Sequence, residues 1–119
     1  IIKLYDAVDR CTIQSFDLRI LQYLERTECE IPLALLVDNK LGVEKNVDLL
    51  GFEPDVYGCD YKLLTEEEIE IANNIGMDVI PWTVNERADM ERLIDWGVDG
   101  LISDYPDLLM KVVKEKGLE

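Results

Sequence analysis

The chain has 119 residues, 48% apolar and 32% charged, which is room for one domain with its own core and excludes a disordered tail. Lys and Arg number 12 against 26 Asp and Glu, a formal charge of −14, so nucleic acid and anionic membrane surfaces, which need a basic patch, are excluded as partners. Histidine is absent, which removes Ser-His-Asp and Cys-His pairs, histidine metal sites and histidine acid–base chemistry from this chain.

In chain order, Ile1-Ile2-Lys3-Leu4 reads like the middle of a helix, and the chain lacks an initial Met, so a piece of something longer is expected. A strand-like run follows at Cys11-Thr12-Ile13-Gln14, then a helix with Leu18, Leu21 and Leu24 at helical spacing and Ile20 widening the stripe. Ile31 to Val37 reads as a buried strand, and Glu44 to Leu50 as the weakest helix of the set. Asp55 to Gly58 is the next strand. Thr65-Glu66-Glu67-Glu68 forms a capping box for a helix that places Ile69, Ala72 and Ile75 on one face and stops at Gly76. Met77 to Val84 is a strand, and the helix after it starts at Asn85, turns Met90, Leu93 and Ile94 inward and stops at Gly97. Val98 to Ser103 is the last strand, and Pro106 opens a helix that buries Leu108, Leu109, Val112 and Val113.

No apolar run approaches the ~18 residues of a membrane span, and no signal peptide is visible. Cys11, Cys29 and Cys59 lack CxxC spacing and are odd in number, so inert thiols in a reducing, cytoplasmic compartment are expected, and a zinc site is not.

Five strand–helix units in strict alternation imply a parallel sheet with right-handed crossovers. Each strand run ends in an acid or amide (Asp17, Asp38, Asp60, Asn85, Asp104), spaced 19 to 25 residues apart. Carboxyl ends of parallel strands carry the binding sites of α/β folds. The row therefore reads either as helix caps or as an acidic edge able to hold a divalent cation or a polyol. Two architectures fit: an open, doubly wound five-stranded sheet, or about five of the eight units of a TIM-type barrel.

Short motifs separate them. Val79-Ile80-Pro81-Trp82-Thr83-Val84-Asn85 followed by Gly97-Val98-Asp99-Gly100-Leu101-Ile102-Ser103-Asp104-Tyr105-Pro106 resembles the last two strands of the glycerophosphodiester phosphodiesterase family. Ile13-Gln14-Ser15-Phe16-Asp17 resembles that family's QSFD strand end. Ile31-Pro32-Leu33-Ala34-Leu35-Leu36 and Leu64-Thr65-Glu66-Glu67-Glu68 fall where its fifth strand and a later capped helix would. Ser103 stands where the family commonly has Thr, and Pro81 is a further local variation.

The resemblance covers the chain from about Ile1 to Lys116 and makes residues 1–119 the C-terminal part of a barrel domain, strands four to eight, of the PLC-like phosphodiesterase architecture. It implies hydrolysis of glycerophosphodiesters, such as glycerophosphocholine, to glycerol 3-phosphate and an alcohol. It also implies a carboxylate-held Ca or Mg ion and two histidines in the complete enzyme. The family's HRG, ExD and HD motifs do not occur in this chain. No catalytic or metal-ligating residue is therefore expected here, and the chain alone should be inactive and hold no cation.

Carried over by motif, Trp82 is the expected contact to the glycerol or alcohol part of the substrate, with Phe16 and Ser15 on the same rim. Core packing for Trp82 and Phe16, and a helix-initiating hydroxyl for Ser15, are the structural alternatives. Asn85 and Asp104 are expected as helix caps, Tyr61 and Lys62 as a loop within reach of a phosphate, and Trp96 as helix-to-sheet packing. The expected partners are the glycerophosphodiester in the complete enzyme, and either a missing N-terminal half or a second copy paired through open sheet edges.

Overall fold

The computed structural model describes residues 12–117. The helix-like start at Ile1–Leu4 and the thiol of Cys11 lie outside the described residues. The elements alternate as β1 (Ile13–Ser15), α1 (Leu18–Arg26), β2 (Leu33–Val37), α2 (Val43–Leu50), β3 (Val56–Cys59), a 3₁₀ turn (Tyr61–Leu63), α3 (Glu66–Ile75), β4 (Asp78–Val79), α4 (Arg87–Asp95) and α5 (Pro106–Glu115). No helix among them is long and apolar enough to cross a membrane.

The strands form one parallel sheet in the order β1-β2-β3-β4. That order decides between the two architectures. A doubly wound sheet reverses its strand order and carries helices on both faces, whereas a barrel advances one neighbour at a time with helices outside. Here the odd-numbered strand residues Leu33, Leu35, Val37, Tyr57, Cys59 and Val79 are buried with Leu21, Val43, Leu50, Ile69, Ala72, Met90, Leu93 and Val112 of the helices. Gln14 and Leu36 line the opposite face. The fold is a partial α/β barrel.

Local chemistry sets each helix end. Asp17 accepts from the Arg19 N–H at 2.9 Å to start α1, and Asp60 accepts from the Lys62 N–H at 3.0 Å to start the 3₁₀ turn. Thr65 Oγ1 accepts from the Glu68 N–H at 3.2 Å, and Gly76 closes α3 at φ +104°, a conformation that favours glycine. The Glu68 carboxylate does not complete a reciprocal capping box; it accepts from the Val43 N–H at 2.9 Å. It thereby caps α2, whose own N-cap, Gly42, has no side chain to do so. The segment from Glu44 to Leu50 is accordingly a full helix.

The expected fifth strand, Val98–Ser103, departs from expectation. It lies beside the fourth run through Asp99 and Gly100 N–H to Val79 O, Ile102 N–H to Pro81 O, and Val84 N–H to Ile102 O, yet forms no regular ladder. The reason lies in the fourth run. Pro81 has no N–H, and the Val79 N–H is taken by the Asp99 side chain at 2.7 Å. With those donors not offered to the fifth run, no ladder forms on that side; toward β3 the regular part of Met77–Val84 is Asp78–Val79, followed by a single bridge that pairs Trp82 with Asp60. Trp96 packs against the core as expected, with the Arg92 guanidinium 5.3 Å from the centre of its ring.

Candidate functional site

Parallel strands bring all their carboxyl ends to one rim. Gln14 lies in β1 and Phe16 just past its end, Leu36 lies near the end of β2, and Trp82 and Thr83 follow β4. With Ile102 they line a cavity of about 230 Å³ that carries no charged side chain. Phe16 and Trp82 meet edge to face, with ring centres 5.8 Å apart and planes at 81°. Phe16 is 54% exposed, so its ring forms a wall of the cavity rather than part of the core. Trp82 is half-buried, and its Nε1–H donates to the Gly58 carbonyl at 2.8 Å. Its backbone is tied as well: Tyr61 N–H donates to Trp82 O at 3.1 Å, and Trp82 N–H to Cys59 O at 3.1 Å.

The structure thus brings Trp82 and Phe16 together. Ser15 is not part of the lining, and its Oγ accepts from the Asp17 N–H at 2.9 Å and shapes the turn into α1. Gln14, Leu36, Thr83 and Ile102 were not singled out from the sequence. The two-residue period of a strand would have found Gln14 beside Phe16 and placed Leu36 opposite the helix-facing Leu35 and Val37.

The row of acids and amides does not converge. Asp17 pairs with Arg19, whose hydrogen bonds hold its carboxyl below the usual carboxylate range. Asn85 and Asp104, expected as helix caps, instead bind each other. Asn85 Oδ1 accepts from the Asp104 N–H at 2.9 Å and from Ser103 Oγ at 3.2 Å, while its Nδ2 donates to Asp104 Oδ2 at 3.0 Å. The side chain that would cap α4 is thereby spent in tying the loop after the fourth run to the one after the fifth. The N-caps of α4 and α5 are Glu86 and Tyr105, neither with a side-chain cap bond.

Among the described residues, no group of three or more His, Cys, Asp or Glu is arranged to hold a metal ion. They do not fit the divalent cation that the family resemblance implies. The Lys62 ammonium lies 5.9 Å from the centre of the Tyr61 ring.

A separate cavity of about 230 Å³ is lined by β3 and the segments that follow β2 and β3, among them Asn39, Tyr57 and Cys59, with Glu68 of α3. Buried Asn46 satisfies itself beside it, donating to Asn39 Oδ1, Gly42 O and the Tyr57 hydroxyl. Burial pushes the Cys59 thiol up to about 12, far from a reactive thiolate.

The sequence model of the glycerophosphoryl diester phosphodiesterase family matches residues 2–108. The chain is 37% identical over 106 residues to a glycerophosphodiester phosphodiesterase of Bacillus subtilis, covering 86% of this chain and 36% of that protein. It is 33% identical over 116 residues to one from Caldanaerobacter subterraneus, covering 98% of this chain and 47% of that protein. The chain therefore spans less than half the length of these curated relatives. In fold it is similar to the crystal structure of a glycerophosphodiester phosphodiesterase from Parabacteroides distasonis, with a TM-score of 0.82 at 24% identity, covering 98% of this chain and 48% of that one.

Proposed function

Since this chain belongs to the glycerophosphoryl diester phosphodiesterase family, we propose that it forms the substrate-shaping, C-terminal portion of a metal-dependent barrel that hydrolyses glycerophosphodiesters to glycerol 3-phosphate and an alcohol. The observation that carries this reading is the Phe16–Trp82 corner at the carboxyl ends of the strands. Two aromatic walls and an uncharged lining suit the C–H faces of a glycerol or alcohol unit. An anionic phosphate would be held elsewhere.

In this reading Trp82 and Phe16 contact substrate directly, and Ser15 acts through the turn it shapes. Acid–base groups and the Ca or Mg site come from outside residues 1–119. Two facts support that division: the chain contains no histidine, and the rim acids Asp17, Asp60 and Asp104 are hydrogen-bonded to their neighbours. When bound in the complete enzyme, the cation would neutralise phosphate charge. The isolated chain is then inactive. Among the described residues Cys29 and Cys59 are free thiols, which suits a reducing, cytoplasmic setting.

The test joins residues 1–119 to the N-terminal portion of the Caldanaerobacter relative and measures hydrolysis of glycerophosphocholine with Ca²⁺ or Mg²⁺. Activity is expected from the joined protein, and Trp82→Ala should raise KM more than it lowers kcat. A joined, folded and active protein indifferent to Trp82→Ala would remove Trp82 from the substrate site.

A second reading, self-association, is favoured by one observation. Ile20 and Tyr23 on α1 and Met110 on α5 are large apolar side chains left exposed on the two flanks. Light scattering that finds only monomers at high concentration argues against it.

A further inference from the structure

Trp82 is held by a residue that has no side chain. Its Nε1–H reaches across to the Gly58 carbonyl at 2.8 Å. A Cβ added at position 58 would lie 2.9 Å from Leu36 Cδ2, 3.5 Å from the Leu35 carbonyl oxygen and 3.6 Å from Trp82 Nε1. At the first distance the end of the Leu36 side chain would have to shift, so Leu36 as it stands occupies space that glycine leaves open. Leu36 and Trp82 both line the cavity, and Phe16 leans on the Trp82 ring. A glycine inside a strand weakens the strand, and here it coincides with a close approach of other groups to its backbone. Its backbone carbonyl holds the ring, and a Cβ there would stand between Leu36 and the indole nitrogen.

We propose that Gly58 is the positioning residue for Trp82: its carbonyl fixes the edge of the indole, and its lack of a side chain lets Leu36 and the indole nitrogen share the space over its backbone, so that a methyl there, hemmed in by Leu36, would push the indole outward. The functional meaning of this role rests on the reading of Trp82 as a substrate contact. The geometric claim can be tested without it.

Trp96→Phe leaves Trp82 as the only tryptophan of the two. In that background, Gly58→Ala is compared with Gly58 by tryptophan emission and acrylamide quenching, with far-UV circular dichroism to verify the fold. The expected result is red-shifted emission and stronger quenching, because a displaced indole meets more water. Adding Leu36→Ala removes the atom that the new methyl would strike and should return quenching toward its starting value. If Gly58→Ala alone does not fold, the double variant decides: folding with unshifted emission supports the proposal, and failure to recover overturns it. A folded Gly58→Ala variant with unchanged emission and quenching also overturns it. Indifference of the joined enzyme to Trp82→Ala would instead remove the substrate reading and leave the fluorescence result standing.

Discussion

Asp99 holds Val79 by both of its backbone groups. The Asp99 N–H donates to Val79 O at 2.9 Å, and Asp99 Oδ2 accepts from the Val79 N–H at 2.7 Å. The same clamp joins Asp55 to Leu33, at 2.9 Å and 2.8 Å. Each aspartate stands at the start of its run, at the end of the sheet opposite the aromatic corner, and substitutes one side chain for a missing ladder partner. Val79 is fully buried, so nothing else can satisfy its N–H.

Removing that acceptor should be costly. Asp99→Ala is expected to destabilise the chain by about 1–3 kcal/mol, the penalty of a buried unpaired donor. Asp99→Asn, which keeps a carbonyl oxygen, should lose less than half as much. Urea unfolding of the two variants checks the ranking, and equal losses would mean that the hydrogen bond is not the cause.

Glu68 links two helices that a reading of local capping keeps apart. Glu68→Ala should cost about 1 kcal/mol, the usual worth of an N-cap. The loss should fall on α2 rather than on α3. Amide exchange of Val43 should therefore accelerate, while that of Glu68, which donates to Thr65 Oγ1, should hold.

Cys59 is expected to resist alkylation by iodoacetamide at pH 8 in the folded chain and to react once unfolded, as read by peptide mass mapping. Burial raises its thiol to about 12 in the folded state, from an ordinary value of 9.0. Between those values the unfolded thiol has lost its proton while the folded one keeps it, so its contribution is full below pH 9 and falls as pH rises toward 12. Cys59→Ala should flatten that alkaline decline.

The Phe16–Trp82 contact should appear in a double-mutant cycle with Phe16→Leu and Trp82→Leu. A coupling of about 0.5 kcal/mol is expected, the low end for aromatic pairs because Phe16 is half in water. A coupling of zero would mean that the rings touch without holding each other.

Much of the fold was legible because alternation and caps are local. Asp17, Asp60 and Pro106 sit at the starts they announce, and the buried strand of Leu33–Val37 is a plain apolar run. What was missed depends on partners distant in sequence. Asn85 looked like a cap because its role needs Asp104, 19 residues on. Glu68 looked like half of a box because Val43 lies 25 residues back. The fifth strand looked regular because nothing local records that the run facing it lacks two donors.

At the site, the motif around Trp82 and Phe16 carried the reading of those two residues. Leu36 and Ile102 joined them only once the strands were laid side by side.

The most direct test of the central claim is a hydrolysis assay on the purified chain of 119 residues alone. It is incubated with glycerophosphocholine and Ca²⁺ or Mg²⁺, and released glycerol 3-phosphate is measured. The account predicts none above the uncatalysed background. Cation-dependent turnover that co-purifies with the chain and disappears with chelator would contradict it.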